Sequence, residues 1–90
     1  MTVKSSPEIV RDMEKTIQGT VKSIQSIQQS IQGAIRASAN WNDEKGQQYR
    51  DLMKKIAQAT QAPSATLSVS VPKLEKLAVA LDKYNKVKFN

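Results

Sequence analysis

The amino-acid sequence predicts an all-α protein: an antiparallel helical hairpin that pairs into a four-helix bundle. Apolar residues recur at helical spacing on both sides of a short polar break, and the break carries the single tryptophan, Trp41. The chain has 90 residues, which is enough for one small domain. The predicted elements of this domain, 1–90, are a helix at 7–39, a turn at 40–43, a helix at 43–61, a kink or loop at 62–70 and a helix at 71–88.

The first helix is predicted to begin at Pro7. Ser5 or Ser6 can cap it, and proline is tolerated in a first turn because the N–H groups there have no partner within the helix. Two columns of mostly apolar residues follow, with successive members seven residues apart, as is typical of helices that pack along their length. The first column holds Val10, Ile17, Ile24 and Ile31, and the second holds Met13, Thr20, Ile27 and Ala34. Val21 and Ile35 widen this stripe.

The second half of the chain is predicted to be helical on both sides of a disturbed stretch. Residues 62–72 contain Pro63 and Pro72 among serines and threonines, a composition that argues against undisturbed helix. An extended loop or a kinked helix fits this stretch. The kink is favoured because apolar spacing by threes and fours continues from Met53 across it to Tyr84. The predicted core seam of the whole hairpin is formed by Val10, Met13, Ile17, Ile24, Ile27, Ile31, Leu52, Ile56, Leu74, Leu77 and Leu81.

The first helix also carries a ribbon of small residues beside its apolar stripe, formed by Gly19, Ser23, Ser26, Ser30, Gly33 and Ala37. Together, the stripe and the ribbon occupy a larger part of the helix circumference than a single antiparallel neighbour can shield. We therefore predict that the ribbon contacts a dimer partner, since small side chains let helix backbones approach closely. The alternative is that glycine and serine are simply tolerated on a solvated face.

Composition excludes most catalytic chemistry. The chain has no Cys and no His, which removes thiol chemistry, histidine general bases and most zinc sites. We predict that the protein is not an enzyme and needs no cofactor or metal. The net charge of +6 is spread along the sequence, so nucleic acid is not expected as the main partner. A basic helical adaptor that binds nucleic acid or an anionic surface is the alternative function.

No apolar run approaches the roughly 20 residues that span a bilayer, and the first residues lack the pattern of a cleaved signal peptide. We therefore expect no transmembrane segment. The chain is expected to be cytoplasmic before any export, and export would follow a route without a cleaved signal.

The pattern around the break resembles the Trp-x-Gly (ESAT-like) family of type VII secretion substrates and the small helical partners of LXG toxins. The likeness is carried by Trp41 in the turn, Tyr49 beyond it, and Leu52, Met53 and Ile56 beneath. The resemblance implies a non-enzymatic hairpin that dimerises with itself, with a related small helical protein or with a larger toxin. A purely structural role for Trp41, sealing the end of the core, is the alternative.

Two positions depart from the family pattern. Asp43 stands where the motif has glycine, a mild change because aspartate caps a helix well. The Tyr-x-x-x-Asp/Glu export signal is absent, since Tyr84 is followed at that spacing by Lys88. The second departure shifts the expectation from a self-exporting substrate towards a partner or targeting protein.

Overall fold

The computed structural model describes residues 4–89 and contains two α-helices, α1 at Ser6–Ala37 and α2 at Glu44–Phe89. The helices lie antiparallel. Two hydrogen bonds between them show this: the Arg11 guanidinium donates to Glu75, and the Gln28 amide donates to Thr60 Oγ1 at 3.0 Å. The described residues contain no strand. The all-α class and the helical hairpin are therefore confirmed.

Local signals fix both ends of α1. The Ser5 hydroxyl accepts a hydrogen bond from the Glu8 N–H at 3.4 Å, and Pro7 occupies the first turn. Arg36 lies in the last turn, where a cation is favoured by the helix dipole. The Ser38 N–H donates to the Ala34 carbonyl at 3.0 Å and ends the helix. Residues 38–43, which include Trp41, link the two helices.

Of the two alternatives predicted for residues 62–70, the loop is wrong, because α2 is helical throughout this stretch and includes Pro63 and Pro72. A kink in this helix stays a prediction. Both prolines are exposed, so water can reach the carbonyls that lose an N–H partner. Ser70 lies inside the helix, where its hydroxyl donates to the Thr66 carbonyl at 2.8 Å. Contacts with α1 continue in register on both sides of the prolines, and these contacts outweigh the local preference against helix.

The molecule is a thin rod rather than a compact domain. Its radius of gyration is 20.5 Å, whereas about 12 Å is expected for a compact chain of this length. Its accessible surface is 7008 Å², against roughly 5,200 Å² for a compact protein of the same mass. Ile31 and Ala78 are buried apolar side chains, and the rest of the seam between the helices is half-buried.

Each helix turns two adjacent columns of side chains towards the other. In α1 they are Val10, Ile17, Ile24, Ile31 and Glu14, Val21, Gln28, Ile35. In α2 they are Met53, Thr60, Leu67, Leu74, Leu81 and Ala57, Ser64, Val71, Ala78, Asn85. These residues are buried or half-buried, and they form the whole length of the seam.

Five of the eleven residues predicted for the core seam lie outside it and are exposed: Met13, Ile27, Leu52, Ile56 and Leu77. The predicted column that begins at Val10 does face α2. The second column that faces α2 is the one that begins at Glu14, and not the predicted one that begins at Met13. The apolar stripe of α1 is three columns wide, and a single neighbouring helix contacts two. The third column is therefore left on the surface.

Continuous helix through the prolines has a direct test. Pro72→Ala should raise the free energy of unfolding by up to about 3 kcal/mol, because proline in a helix interior removes a hydrogen bond and clashes with the preceding turn. Ala65→Gly, at an exposed position of the same stretch, should lower it by about 1 kcal/mol. Urea titration followed by circular dichroism measures both. A neutral result for both variants would indicate a loop.

Candidate interaction surface

One side of the hairpin carries a set of exposed large apolar side chains, which we call the apolar flank. Its members are between 36% and 63% exposed, and they are Ile9, Met13 and Ile27 on α1 and Tyr49, Leu52, Ile56, Leu77 and Tyr84 on α2. Tyr49, Ile56, Leu77 and Tyr84 fall in one column of α2 with a seven-residue repeat. That repeat is the spacing at which a helix meets another helix.

The members from the two helices face the same way. Met13 and Ile17 of α1 line a surface groove together with Leu74 and Leu77 of α2. In an antiparallel helix pair, the columns that flank the seam on one side come from both helices and lie next to each other. The flank members of the two helices therefore lie on the same side of the rod, and the groove lies among those at the end away from the turn.

The opposite side of the seam is polar. Arg11 bridges Glu75 at 3.3 Å and Asp82 at 2.9 Å, and the hydrogen bond from Arg11 is the main cause that lowers the pKa of Glu75. A hydrogen bond with Glu75 raises the pKa of Glu14. Further along, Gln18, Lys22, Gln25 and Ser68 line a second groove together with Val21 and Val71. This side thus carries ion pairs and polar side chains, whereas the apolar flank carries exposed large apolar side chains.

The predicted ribbon of small residues borders the flank on the outer edge of α1. Gly19, Ser23, Ser26, Ser30 and Ala37 are exposed, and Gly33 is half-buried. A Cβ atom placed on Gly19 or Gly33 would meet nothing within 4 Å. Nothing within this chain therefore requires glycine at either position.

The three residues predicted as a turn motif come together at the linker. The Trp41 and Tyr49 rings lie 6.0 Å apart at an interplanar angle of 37°. The Asp43 carboxylate accepts a hydrogen bond from the Gly46 N–H at 2.9 Å and caps α2. Because Tyr49 belongs to the apolar flank and Trp41 is 46% exposed, the indole extends the flank to the turn end of the rod.

Two residues that the sequence reasoning missed hold the linker in place. Arg50 Nη1 donates to the carbonyl oxygens of Ser38, at 2.5 Å, and Trp41, at 2.8 Å. Gly46 is buried against Trp41, and an added Cβ would lie 2.3 Å from the Trp41 carbonyl oxygen. Arg50 carries no distinguishing sequence signal. Gly46 does, since a glycine inside a helical pattern costs about 1 kcal/mol relative to alanine and therefore suggests a packing reason.

Comparison of the chain with protein-family models, curated proteins and solved structures gives no significant match. Over the residues that the structure describes, no three acidic side chains are grouped in a way that could hold a metal ion. Neither helix, within the same residues, has a stretch both long and apolar enough to cross a membrane. The apolar flank and the group of Trp41, Asp43 and Tyr49 at the linker are the features that point to a function.

The close contact at Gly46 predicts opposite effects of the same substitution at two glycines. Gly46→Ala should destabilise the hairpin by about 1–3 kcal/mol, because the new methyl group meets backbone that cannot move freely. Gly19→Ala, in open space on an exposed helix, should stabilise it by about 1 kcal/mol. Urea denaturation of the two variants gives the comparison. Stabilisation by both would contradict the contact with Trp41.

The cap at the start of α2 predicts a dependence on pH. The Gly46 N–H, with the Trp41 side chain as the second cause, lowers the pKa of Asp43. A carboxylate with a lowered folded pKa stabilises the fold above its unfolded pKa, and this stabilisation is lost as the pH falls through the folded value. Asp43→Asn keeps a capping oxygen but no charge. Wild type should melt at a higher temperature than this variant at neutral pH.

That difference in melting temperature should shrink as the pH falls below about 4, the ordinary range of an aspartate. Glu14, Glu75 and Asp12 titrate in both proteins, so their effects cancel in the comparison. Thermal melting followed by circular dichroism from about pH 7 to about pH 2 covers the range. A difference that stays constant across this range would show that the Asp43 charge does not stabilise the turn.

Proposed function

We propose that this protein is a non-enzymatic interaction module that works by presenting its apolar flank to another helical chain, so that two hairpins form a four-helix bundle. The observation that carries the proposal is the flank itself, in which eight large apolar side chains on one side of a rod are exposed to solvent. A set of large apolar side chains exposed together on one side marks an interaction site in a protein that is otherwise polar.

The energetics of the hairpin support a partner. A two-helix rod whose described residues include two buried aliphatic positions, Ile31 and Ala78, has a small core for its length. Its accessible surface exceeds that of a compact protein by roughly 1,800 Å². Covering the flank would remove about 25 cal/mol of unfavourable hydration for each Å² of apolar surface, which stabilises both chains.

The resemblance to the Trp-x-Gly proteins supports a particular kind of module. A rod of two helices, with Trp41 of the linker beside Tyr49 of α2, fits a type VII secretion substrate or the small targeting partner of a secreted toxin. Four residues after Tyr84, the chain has Lys88 where the export signal has Asp or Glu. This difference favours the partner role, in which the other chain supplies the export signal. In that role the hairpin is carried or targeted by the chain to which it binds.

A pair of aspartate substitutions tests the flank. Leu77→Asp should weaken self-association by about 100-fold, because it places an unpaired carboxylate in an apolar contact. Val79→Asp is the matched control, since Val79 is also exposed on α2 but lies on the polar side. Both variants should keep the helicity of the wild type, because both side chains are exposed in the hairpin.

Sedimentation equilibrium at micromolar concentration measures the association. About 1 M NaCl is used, because it shortens the Debye length to ~3 Å and removes most charge repulsion between the basic chains. An equal effect of the two substitutions would show that the flank is not the surface through which the chain associates. A strictly monomeric wild type would show that the flank does not pair with a second copy.

A further inference from the structure

We infer that the natural partner of the apolar flank is an acidic helical chain, one whose apolar stripe is bordered by carboxylates, rather than a second copy of this protein. The inference rests on the proposed function and adds the chemistry of the partner. It is carried by the distribution of charge around the flank.

All of the net charge lies in the middle of the rod. Residues 15–42 and 52–74 contain six basic side chains and no Asp or Glu, whereas the rest of the chain holds eight basic and eight acidic side chains. The pairing of Arg11 with Glu75 and of Gln28 with Thr60 sets these two stretches side by side. The fold therefore gathers the charge of +6, which the sequence spreads out, into one acid-free zone.

Lysines border the flank along α2. They lie in the two columns next to it, and they are Lys45, Lys55, Lys73, Lys76 and Lys83. All five are exposed, and none forms an ion pair with another residue that the structure describes. Lys73 lines the groove beside Met13 and Leu77. On the α1 edge, the carboxylate of Asp12 is already paired with Lys4.

This arrangement discriminates between partners by the sign of their charge. A second copy brings the same lysines to the interface and offers them few free carboxylates, so repulsion opposes the apolar contact. A chain with carboxylates beside its apolar stripe supplies the missing counter-charges. Individual surface ion pairs contribute little, but like charges in juxtaposition act strongly against a wrong partner.

The shape of the flank favours a helix over a lipid surface as the occupant. Tyr49, Ile56, Leu77 and Tyr84 lie in one column of α2 with seven-residue spacing, and Leu77 lines a groove between the two helices. A helix in such a groove inserts side chains at the same repeat. A lipid surface has no such repeat, and the same α2 column also holds Pro63 and the hydroxyl of Ser70, which do not suit insertion among acyl chains.

The experiment uses the full chain and two synthetic helical peptides with the same Ile/Leu heptad stripe. One peptide carries Glu, the other Lys, at the positions that border the stripe. In about 0.1 M NaCl the Glu peptide should bind at least about tenfold more tightly than the Lys peptide, and the difference should collapse in about 1 M NaCl. Self-association of the protein should instead become stronger as the salt concentration rises.

A charge-reversed protein, Lys55→Glu/Lys73→Glu/Lys76→Glu, should prefer the Lys peptide, while Leu77→Asp should lose affinity for both. Equal binding of the two peptides by wild type, with both lost in Leu77→Asp, would overturn the acidic partner and leave the proposed function standing. Failure of wild type to bind either peptide or itself in about 1 M NaCl would overturn the proposed function as well. Binding to phosphatidylserine vesicles but to neither peptide would replace the helical partner by a membrane surface.

Discussion

A helix with a single neighbour can bury two columns of its side chains, and this constraint shapes the whole hairpin. The inner columns of α2 hold small or polar residues at many positions, among them Ala57, Thr60, Ser64 and Asn85. Several of its large apolar residues, including Ile56 and Leu77, lie one column further round and are exposed. This outward column is thus richer in large apolar side chains than the inner column that begins at Ala57. Such a distribution suits an assembly whose main core forms between chains.

The periodicity of the sequence was sufficient to predict two helical arms and a polar break between them, because apolar spacing reports directly on the faces of a helix. It could not predict which two columns of α1 would meet α2. Met13 and Val21 flank the same central column, and both are apolar. That choice depends on how the linker sets the second helix, which involves contacts of Gly46 and Arg50 with the backbone of Ser38 and Trp41. Backbone contacts of this kind have no periodic signature.

The sequence does not decide between a loop and a helix through Pro63 and Pro72, and it does not show how the charge is gathered in the hairpin. Both depend on what lies opposite in the folded hairpin. Proline opposes helix locally, but α1 provides a continuous surface against which residues 62–72 pack. Basic residues that are 30 or more positions apart in the chain, such as Lys22 and Lys54, belong to the same section of the rod. Local rules treat each stretch alone, and tertiary pairing decides both outcomes.

The contact between Gly46 and the carbonyl of Trp41 reaches well beyond the linker. A residue with any side chain would push the first turn of α2 away, so the missing methyl group sets the rotational phase with which the helix leaves the turn. A rigid helix transmits that phase along its length, and Leu77 lies about 46 Å further on. The smallest residue in the chain, at one end of the rod, thereby helps to choose which side of the molecule its neighbours encounter at the other.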